Sequence, residues 1–275
     1  MKFSELKFGI TGHTGVLGRE FIKKNKNLNF IKFKGDITKK NDVKKWLQKN
    51  PIDIVVHLAA VVPTNIVKKK INYAKKVNYT GTKLLVDEAV KYKKIKWFFY
   101  SSTSHVYKFS KNKISENSTI KPTSKYGLTK LKGEKYIQKK LNKKIPFCIG
   151  RIFSFTSIHQ KKPFVIPSIV DKAKLKKKLT IFNNTNHLRD FLCVSDVCEA
   201  IKILIDKKST GIYNIGSGNK TLISDIVKLI FYKYKKNYLI NNTSKQTCLV
   251  SNNSKIKKLN WKPTKNIKSI VIDLF

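Results

Sequence analysis

Residues 11–18 read Thr-Gly-His-Thr-Gly-Val-Leu-Gly, directly after the apolar run 6–11 and directly before an amphipathic stretch. The chain holds only 12 glycines, yet Gly12, Gly15 and Gly18 fall here in register. Between a strand and a helix, such a triplet serves three needs: a tight turn, close approach of backbone to phosphate, and close packing of the helix on the strand. Val16 and Leu17 then open a helix whose N-terminal N–H groups and dipole favour negative charge. The turn is therefore expected to hold the pyrophosphate of a dinucleotide.

Outward from this turn, short apolar runs alternate with longer amphipathic ones. Residues 6–11, 29–34, 52–57, 96–102 and 145–152 read as buried strands, and helical patterns fill the intervals. This alternation predicts an α/β fold, a Rossmann doubly wound parallel sheet. Beyond residue 153 the alternation loosens into a helix over 167–177, a strand over 179–182, a segment 189–194, a helix over 195–206 and a strand over 212–215. Two units are expected: residues 1–153 as the dinucleotide-binding domain, and residues 154–275 as a smaller C-terminal substrate-binding α/β lobe interleaved with the last sheet strands. No internal repeat and no linker rich in Pro, Gly or Ser separates them.

Composition narrows the function classes. At 275 residues and 41% hydrophobic, the chain can bury a full core. Fifty-nine basic against 16 acidic residues give +43, which raises the question of an anionic partner. The lysines are spread over nearly every segment, so no specific nucleic-acid partner is expected. Arg19, Arg151 and Arg189 are the only arginines, and in so lysine-rich a chain they point to places needing a planar, multi-donor cation. Cys148, Cys193, Cys198 and Cys248 lack metal-ligand spacing and read as buried free thiols, with no metal site. No signal peptide precedes Leu6 and no apolar run reaches the roughly 18 residues of a membrane span, so a cytoplasmic protein is expected.

Tyr126 and Lys130 lie one helical turn apart and face the same way. The same spacing recurs from Tyr79, Tyr92, Tyr107, Tyr136 and Tyr232, so spacing alone carries nothing. Only Tyr126 sits in Pro-Thr-Ser-Lys-Tyr-Gly, downstream of a strand ending in Ser101-Ser102-Thr103. A neighbouring ammonium lowers the pKa of a phenol, which makes Tyr126 a candidate acid–base group. Thr103 would hold the same substrate oxygen and Lys130 would also grip the nicotinamide ribose. The second strand ends in Lys32 and Lys34, and the first acid is Asp36. Cations there suit a 2′-phosphate, so NADP is favoured over NAD.

Taken in order, Thr-Gly-x-x-Gly-x-x-Gly, Gly35-Asp36-Ile37, His57-Leu58-Ala59-Ala60, Asn78-x-x-Gly81-Thr82, Ser101-Ser102-Thr103, Tyr126 with Lys130, Arg189-Asp190-Phe191, Asn214-Ile215-Gly216 and Leu259-Asn260-Trp261-Lys262-Pro263 resemble the extended short-chain dehydrogenase/reductase family of nucleotide-sugar epimerases, dehydratases and ketoreductases. The resemblance implies that Asp36 and Ile37 reach the adenine, and that Leu58, Ala59, Ala60 and Phe153 line the cofactor. It further implies that Asn78 supports the active site, that Ser154 and Arg189 contact a nucleoside-diphosphate sugar, and that the chain pairs as a homodimer.

Two departures bear on the reaction. Family dehydratases carry an acidic residue after the Thr, where Ser104 and His105 stand here; epimerases carry an Asn after the Arg-x-Phe strand, where Ser154 stands. A 4-keto-6-deoxy-sugar reductase is therefore expected, with a 4-epimerase retaining its NAD and a non-catalytic dinucleotide sensor or scaffold as alternatives. His105 is either a general acid–base group or a loop histidine, and His57 is expected to be structural.

Overall fold

The computed structural model describes residues 5–274. Its first half follows the alternation of apolar and amphipathic runs: β1 (Lys7–Thr11), α1 (Val16–Lys24), β2 (Asn29–Lys32), α2 (Lys40–Lys49), β3 (Ile54–His57), α3 (Thr64–Lys69), α4 (Ile71–Lys75), α5 (Thr82–Tyr92), β4 (Trp97–Thr103), α6 (Lys125–Leu141) and β5 (Phe147–Ile152). A π-helical turn, Lys76–Gly81, joins α4 to α5, and a 3-10 turn, Ser104–Val106, follows β4. The later half contains β6 (Ser154–Thr156), α7 (Val165–Ala173), β7 (Leu179–Asn183), β8 (Leu188–Arg189), β9 (Phe191–Cys193), α8 (Val194–Asp206), β10 (Gly211–Ile215), β11 (Thr221–Leu222), α9 (Ile223–Lys233), β12 (Asn237–Asn241), β13 (Cys248–Leu249), α10 (Ser254–Lys257) and α11 (Ile267–Ile272).

Six strands form one parallel sheet in the order β10-β5-β4-β3-β1-β2. Every residue of β3 and β4 is buried, as a sheet covered on both faces requires. Alternate side chains enter opposite cores. Ile54, Val56 and Phe99 pack with Phe21 of α1 and Ile201 of α8, whereas Val55, Phe98 and Tyr100 pack with Leu47 of α2, Leu85 of α5 and Ile137 of α6. The strand order reverses between β1 and β3, where Thr11 stands opposite His57. The glycine turn leaves the sheet at this switch point, the crevice where open α/β sheets bind ligands.

The later half builds a second core from α7, α9, α11, Phe182 and Phe191, with small sheets β11-β8-β13, β6-β9 and β7-β12 beside it. The strands expected over 52–57 and 145–152 begin at Ile54 and Phe147, and other boundaries shift too. The strand expected over 29–34 stops at Lys32, although Phe33 N still donates to Ile10 O at 2.9 Å. The helix expected over 167–177 spans Val165–Ala173, because its buried face of Ile166, Ile169, Val170 and Ala173 ends there. The segment 189–194 divides into β8 and β9 around Asp190, whose carboxylate is fully buried. All four cysteines are free and buried. No helix among the described residues is long and apolar enough to cross a membrane.

Candidate active site

The three glycines meet three different constraints. Gly12 has φ +73, and a Cβ there would lie 2.6 Å from Ala59 N, so the turn rests directly on the backbone of Leu58 and Ala59. A Cβ at Gly18 would lie 2.2 Å from Gly12 O, which lets α1 start flush against the turn. At Gly15 the chain imposes almost nothing: a Cβ would meet only Gly12 O, at 3.4 Å. Its bareness leaves a cradle on the α1 N-terminus that fits a pyrophosphate approaching the backbone. Val16 and Leu17 anchor the first turn of α1 against the core.

Beyond the end of β2, Ile37 is buried and Asp36 is exposed. The Asp36 carboxylate accepts from Thr38 N at 2.9 Å and Thr38 Oγ1 at 2.8 Å, and these bonds hold it below the usual carboxylate range. His13 of the glycine turn titrates below an ordinary histidine, through partial burial and then the charges of Lys32 and Lys34. Histidine and both lysines therefore share one neighbourhood at the end of β2.

Thr103, Tyr126 and Lys130 are all buried, at 5%, 8% and 1% exposure. Thr103 ends β4 and its Oγ1 accepts from His105 N at 3.3 Å. Tyr126 enters at the first turn of α6, capped by Ser124, whose Oγ accepts from Gly127 N at 3.0 Å. Val67 of α3 and Ala74 of α4 cover Tyr126, and that burial pushes its hydroxyl well above the ordinary tyrosine range. Burial is the cause of this rise, opposite in direction to the lowering expected from a neighbouring ammonium. Lys130 moves the other way, down to about 7, through burial opposed by Glu134. Its Nζ lies 4.0 Å from the centre of the Tyr100 ring and has no hydrogen-bond partner among the described residues. A buried ammonium without an acceptor is suited to ribose hydroxyls.

His57 has a structural role. Its Nδ1 lies 2.6 Å from Thr11 Oγ1 and its Nε2 2.9 Å from Thr82 Oγ1, which itself donates to Asn78 O at 2.8 Å. These contacts fit a neutral ring protonated at Nε2, and burial holds its pKa well below the ordinary value. Asn78, buried by the π-helical turn, accepts from Val61 N at 2.7 Å and donates to Val61 O at 2.9 Å and to Thr129 Oγ1 at 3.0 Å. Thr129 Oγ1 in turn donates to Tyr126 O at 2.8 Å. One hydrogen-bonded chain thus runs from the glycine turn to the helix carrying Tyr126.

His105 lies edge-on to Tyr126, with ring centres 6.1 Å apart, and its Nδ1 is 3.2 Å from Ser124 Oγ. Burial, helped by the charge of Arg189, pushes its pKa down to about 4. Arg189 donates to Leu188 O at 2.8 Å, Thr247 O at 3.0 Å and Thr247 Oγ1 at 2.9 Å, and stands over the Phe109 ring at 5.5 Å. Ser154 is half-buried at the start of β6. Phe153 is stacked on Tyr107 within a buried apolar cluster, and its backbone N donates to Ile215 O at 2.9 Å. Ala60 is half-buried beside Ala59 after β3. Arg19 is exposed on α1, whereas Arg151 is buried in a bidentate pair with Glu134.

Glu134 has no place among the sequence expectations, and Ser102 and Asp190 stand there only as members of motifs. The signal for Glu134 was its place four residues after Lys130, in a chain with only 16 acids.

A family model described as the NAD dependent epimerase/dehydratase family matches residues 9–216. The dTDP-D-glucose 4,6-dehydratase of Dictyostelium discoideum is 30% identical over 220 residues, covering 74% of this chain and 50% of that protein. The human dTDP-D-glucose 4,6-dehydratase is 28% identical over 258 residues, covering 89% of this chain and 73% of that one. The chain therefore spans about half the length of the first relative and about three quarters of the second. Among solved structures, RMD from Pseudomonas aeruginosa complexed with NADPH matches with a TM-score of 0.89 at 19% identity, covering 98% of both chains. That likeness is one of fold.

Proposed function

The chain belongs to the NAD dependent epimerase/dehydratase family, and from that premise we propose that it is an NAD(P)-dependent oxidoreductase of nucleotide sugars that reduces a 4-keto-6-deoxy sugar nucleotide. The observation that carries this reading is that Ser104 and His105, with no carboxylate, follow Thr103, and that the His105 ring lies edge-on to Tyr126 with Nδ1 3.2 Å from Ser124 Oγ. Reduction of a ketone needs a proton donor at the carbonyl oxygen, and a phenol held protonated by burial is one. Elimination of water needs a further acid–base group next to Thr103. His105, with a pKa near 4 and Nδ1 committed to Ser124, is not suited to that work at neutral pH. This favours reduction over elimination of water in the reading proposed here.

In the proposed mechanism Thr103 Oγ1 and Tyr126 Oη hold the substrate oxygen, and Tyr126 passes its proton to that oxygen. Lys130 Nζ grips the nicotinamide ribose and stabilises the phenolate left behind. A bound nicotinamide supplies the hydride. Residues 1–153 would carry the dinucleotide and residues 154–275 the nucleoside diphosphate, through Ser154 and Arg189. NADP is the preferred cofactor in this reading, because Lys32, Lys34 and His13 share the end of β2 and Asp36 is occupied by Thr38.

The test is purified protein mixed with NADPH and a nucleoside-diphosphate 4-keto-6-deoxy sugar. One NADPH oxidised per sugar reduced is expected, with Tyr126→Phe slowing the reaction by about 10²–10⁴-fold. Interconversion of a nucleotide sugar without consumption of added dinucleotide would assign the alternative, a 4-epimerase with retained NAD. Dinucleotide binding without turnover on either class of substrate would leave a sensor or scaffold.

A further inference from the structure

Glu134 is a fully buried carboxylate that the mechanism above does not use. Its Oε2 accepts from Arg151 Nη2 at 2.7 Å and Nε at 3.2 Å, while Oε1 accepts from Arg151 Nε at 3.1 Å and from the Ser102 hydroxyl. Ser102 and Arg151 stand opposite each other in the β4–β5 register, so the sheet presents both donors side by side. Ser102 is also the residue before Thr103. On the helix, Glu134 is one turn beyond Lys130 and two beyond Tyr126, on the same buried face. Its neighbour Gly133 admits no side chain, because a Cβ there would lie 2.3 Å from Tyr100 Oη. Helix α6 is thus pressed onto β4 at Gly133 and bolted there at Glu134. Arg151 is itself fixed beyond this pair, with Nη1 donating to Tyr107 Oη at 2.8 Å and Glu116 O at 3.2 Å.

We propose that Glu134 is a positioning residue for Tyr126 and Lys130: clamped by Ser102 and Arg151, it sets the seat of α6 on β4 and supplies a buried carboxylate one helical turn from Lys130. It touches neither substrate nor dinucleotide. The inference rests on Lys130 being a dinucleotide-binding group, as proposed above. The groups facing Lys130 are Tyr126 and Glu134 on its own helix, Tyr100 on β4 and His57 on β3, with Arg151 of β5 behind Glu134. Of these, Glu134 is the charge that favours the ammonium against its desolvation.

NADH is the probe, because it lacks a 2′-phosphate that would titrate in the same range. Its dissociation constant is measured by protein fluorescence between about pH 5.5 and 9.5, the span over which a buried lysine changes charge. In the wild-type chain the affinity falls as Lys130 loses its proton. Glu134→Gln, which keeps the shape and removes the charge, is expected to move the midpoint of that fall down by about one pH unit. Glu134→Asp, which keeps the charge, is expected to stay within about 0.3 unit of wild type. If Glu134→Gln does not fold, Glu134→Gln/Arg151→Gln, which leaves no Arg151 charge stranded without its carboxylate, replaces it with the same expected direction.

An unmoved midpoint in the neutral variant, or an equal shift in Glu134→Asp, overturns the proposal. Lys130→Met separates the two layers. If it retains the wild-type pH dependence, Lys130 is not a dinucleotide group and both readings fall. If it abolishes the dependence while Glu134→Gln leaves the midpoint in place, only the positioning role falls.

Discussion

Around the glycine turn, β3 and β4 are buried along their whole length and paired on both sides. In the later half, β8, β11 and β13 are two residues each, and β7 and β12 turn Leu179, Ile181 and Leu239 outward at 51%, 53% and 53% exposure. What strand ladders do in the first region, single polar side chains do in the second. Asp190 accepts from Ser217 N and Oγ, Gly218 N, and Ser251 N and Oγ. Asn184 Oδ1 gathers Thr243 N and Oγ1 and Ser244 N, and Asp196 gathers Thr264 and Lys265. The contrast suits the proposed division of labour. A dinucleotide is a constant shape for which a rigid sheet end is apt, whereas a lobe held by a few anchors can change its loops between relatives without disturbing the sheet.

The contrast breaks hardest at Asp190. Asp190→Ala strands several buried donors at once and is expected to cost about 3 kcal/mol or more, read by denaturant unfolding. A loss below about 1 kcal/mol would show that the lobe does not depend on this anchor. Next comes pH. His105 has a folded pKa of about 4 against an ordinary 6.5, so its contribution is fully present above pH 6.5 and is lost as pH falls towards 4. The expected decline in unfolding free energy over that window is about 2 kcal/mol. His105→Asn should remove that decline while leaving turnover at neutral pH unchanged; a retained slope, or a collapsed turnover, would return His105 to the acid–base role.

A smaller effect sharpens the other side. Gly15→Ala meets only Gly12 O at 3.4 Å, so its melting temperature should stay near wild type while NADPH affinity falls about tenfold, or ~1.4 kcal/mol. Equal affinity would mean that the pyrophosphate does not approach Gly15. The smallest effect is expected at Ile181→Thr on the outer face of β7, within about 0.5 kcal/mol by thermal unfolding. A larger loss would reveal that this face is covered in solution.

The regions also differed in legibility. All six strands of the large sheet could be read because each is a short apolar run, and the glycine turn because its three constraints coincide at fixed spacing. Two-residue strands such as β8 carry no period to read, so residues 189–194 looked like one segment and the inward carboxylate of Asp190 went unnoticed. At the site, the candidates Thr103, Tyr126 and Lys130 stand out in sequence by their order and context, and the structure buries all three at the end of β4 and on α6. The direction of Tyr126's titration was not, because the residues that bury it, Val67 and Ala74, lie more than 50 positions away in sequence. Glu134 was hidden among the lysines of α6 for a related reason: its partners Ser102 and Arg151 come together only through strand register.

The His57 ring has a further consequence. Both of its nitrogens are engaged, one toward the glycine turn and one toward the segment bearing Asn78, so rotation of the imidazole would break both bonds together. The chain has only five histidines, and its imidazole nitrogen spectrum is correspondingly sparse. His57 is thus a built-in spectroscopic gauge, seated in the interior, through which the arrival of a molecule at either end of that chain can be followed without attaching a label.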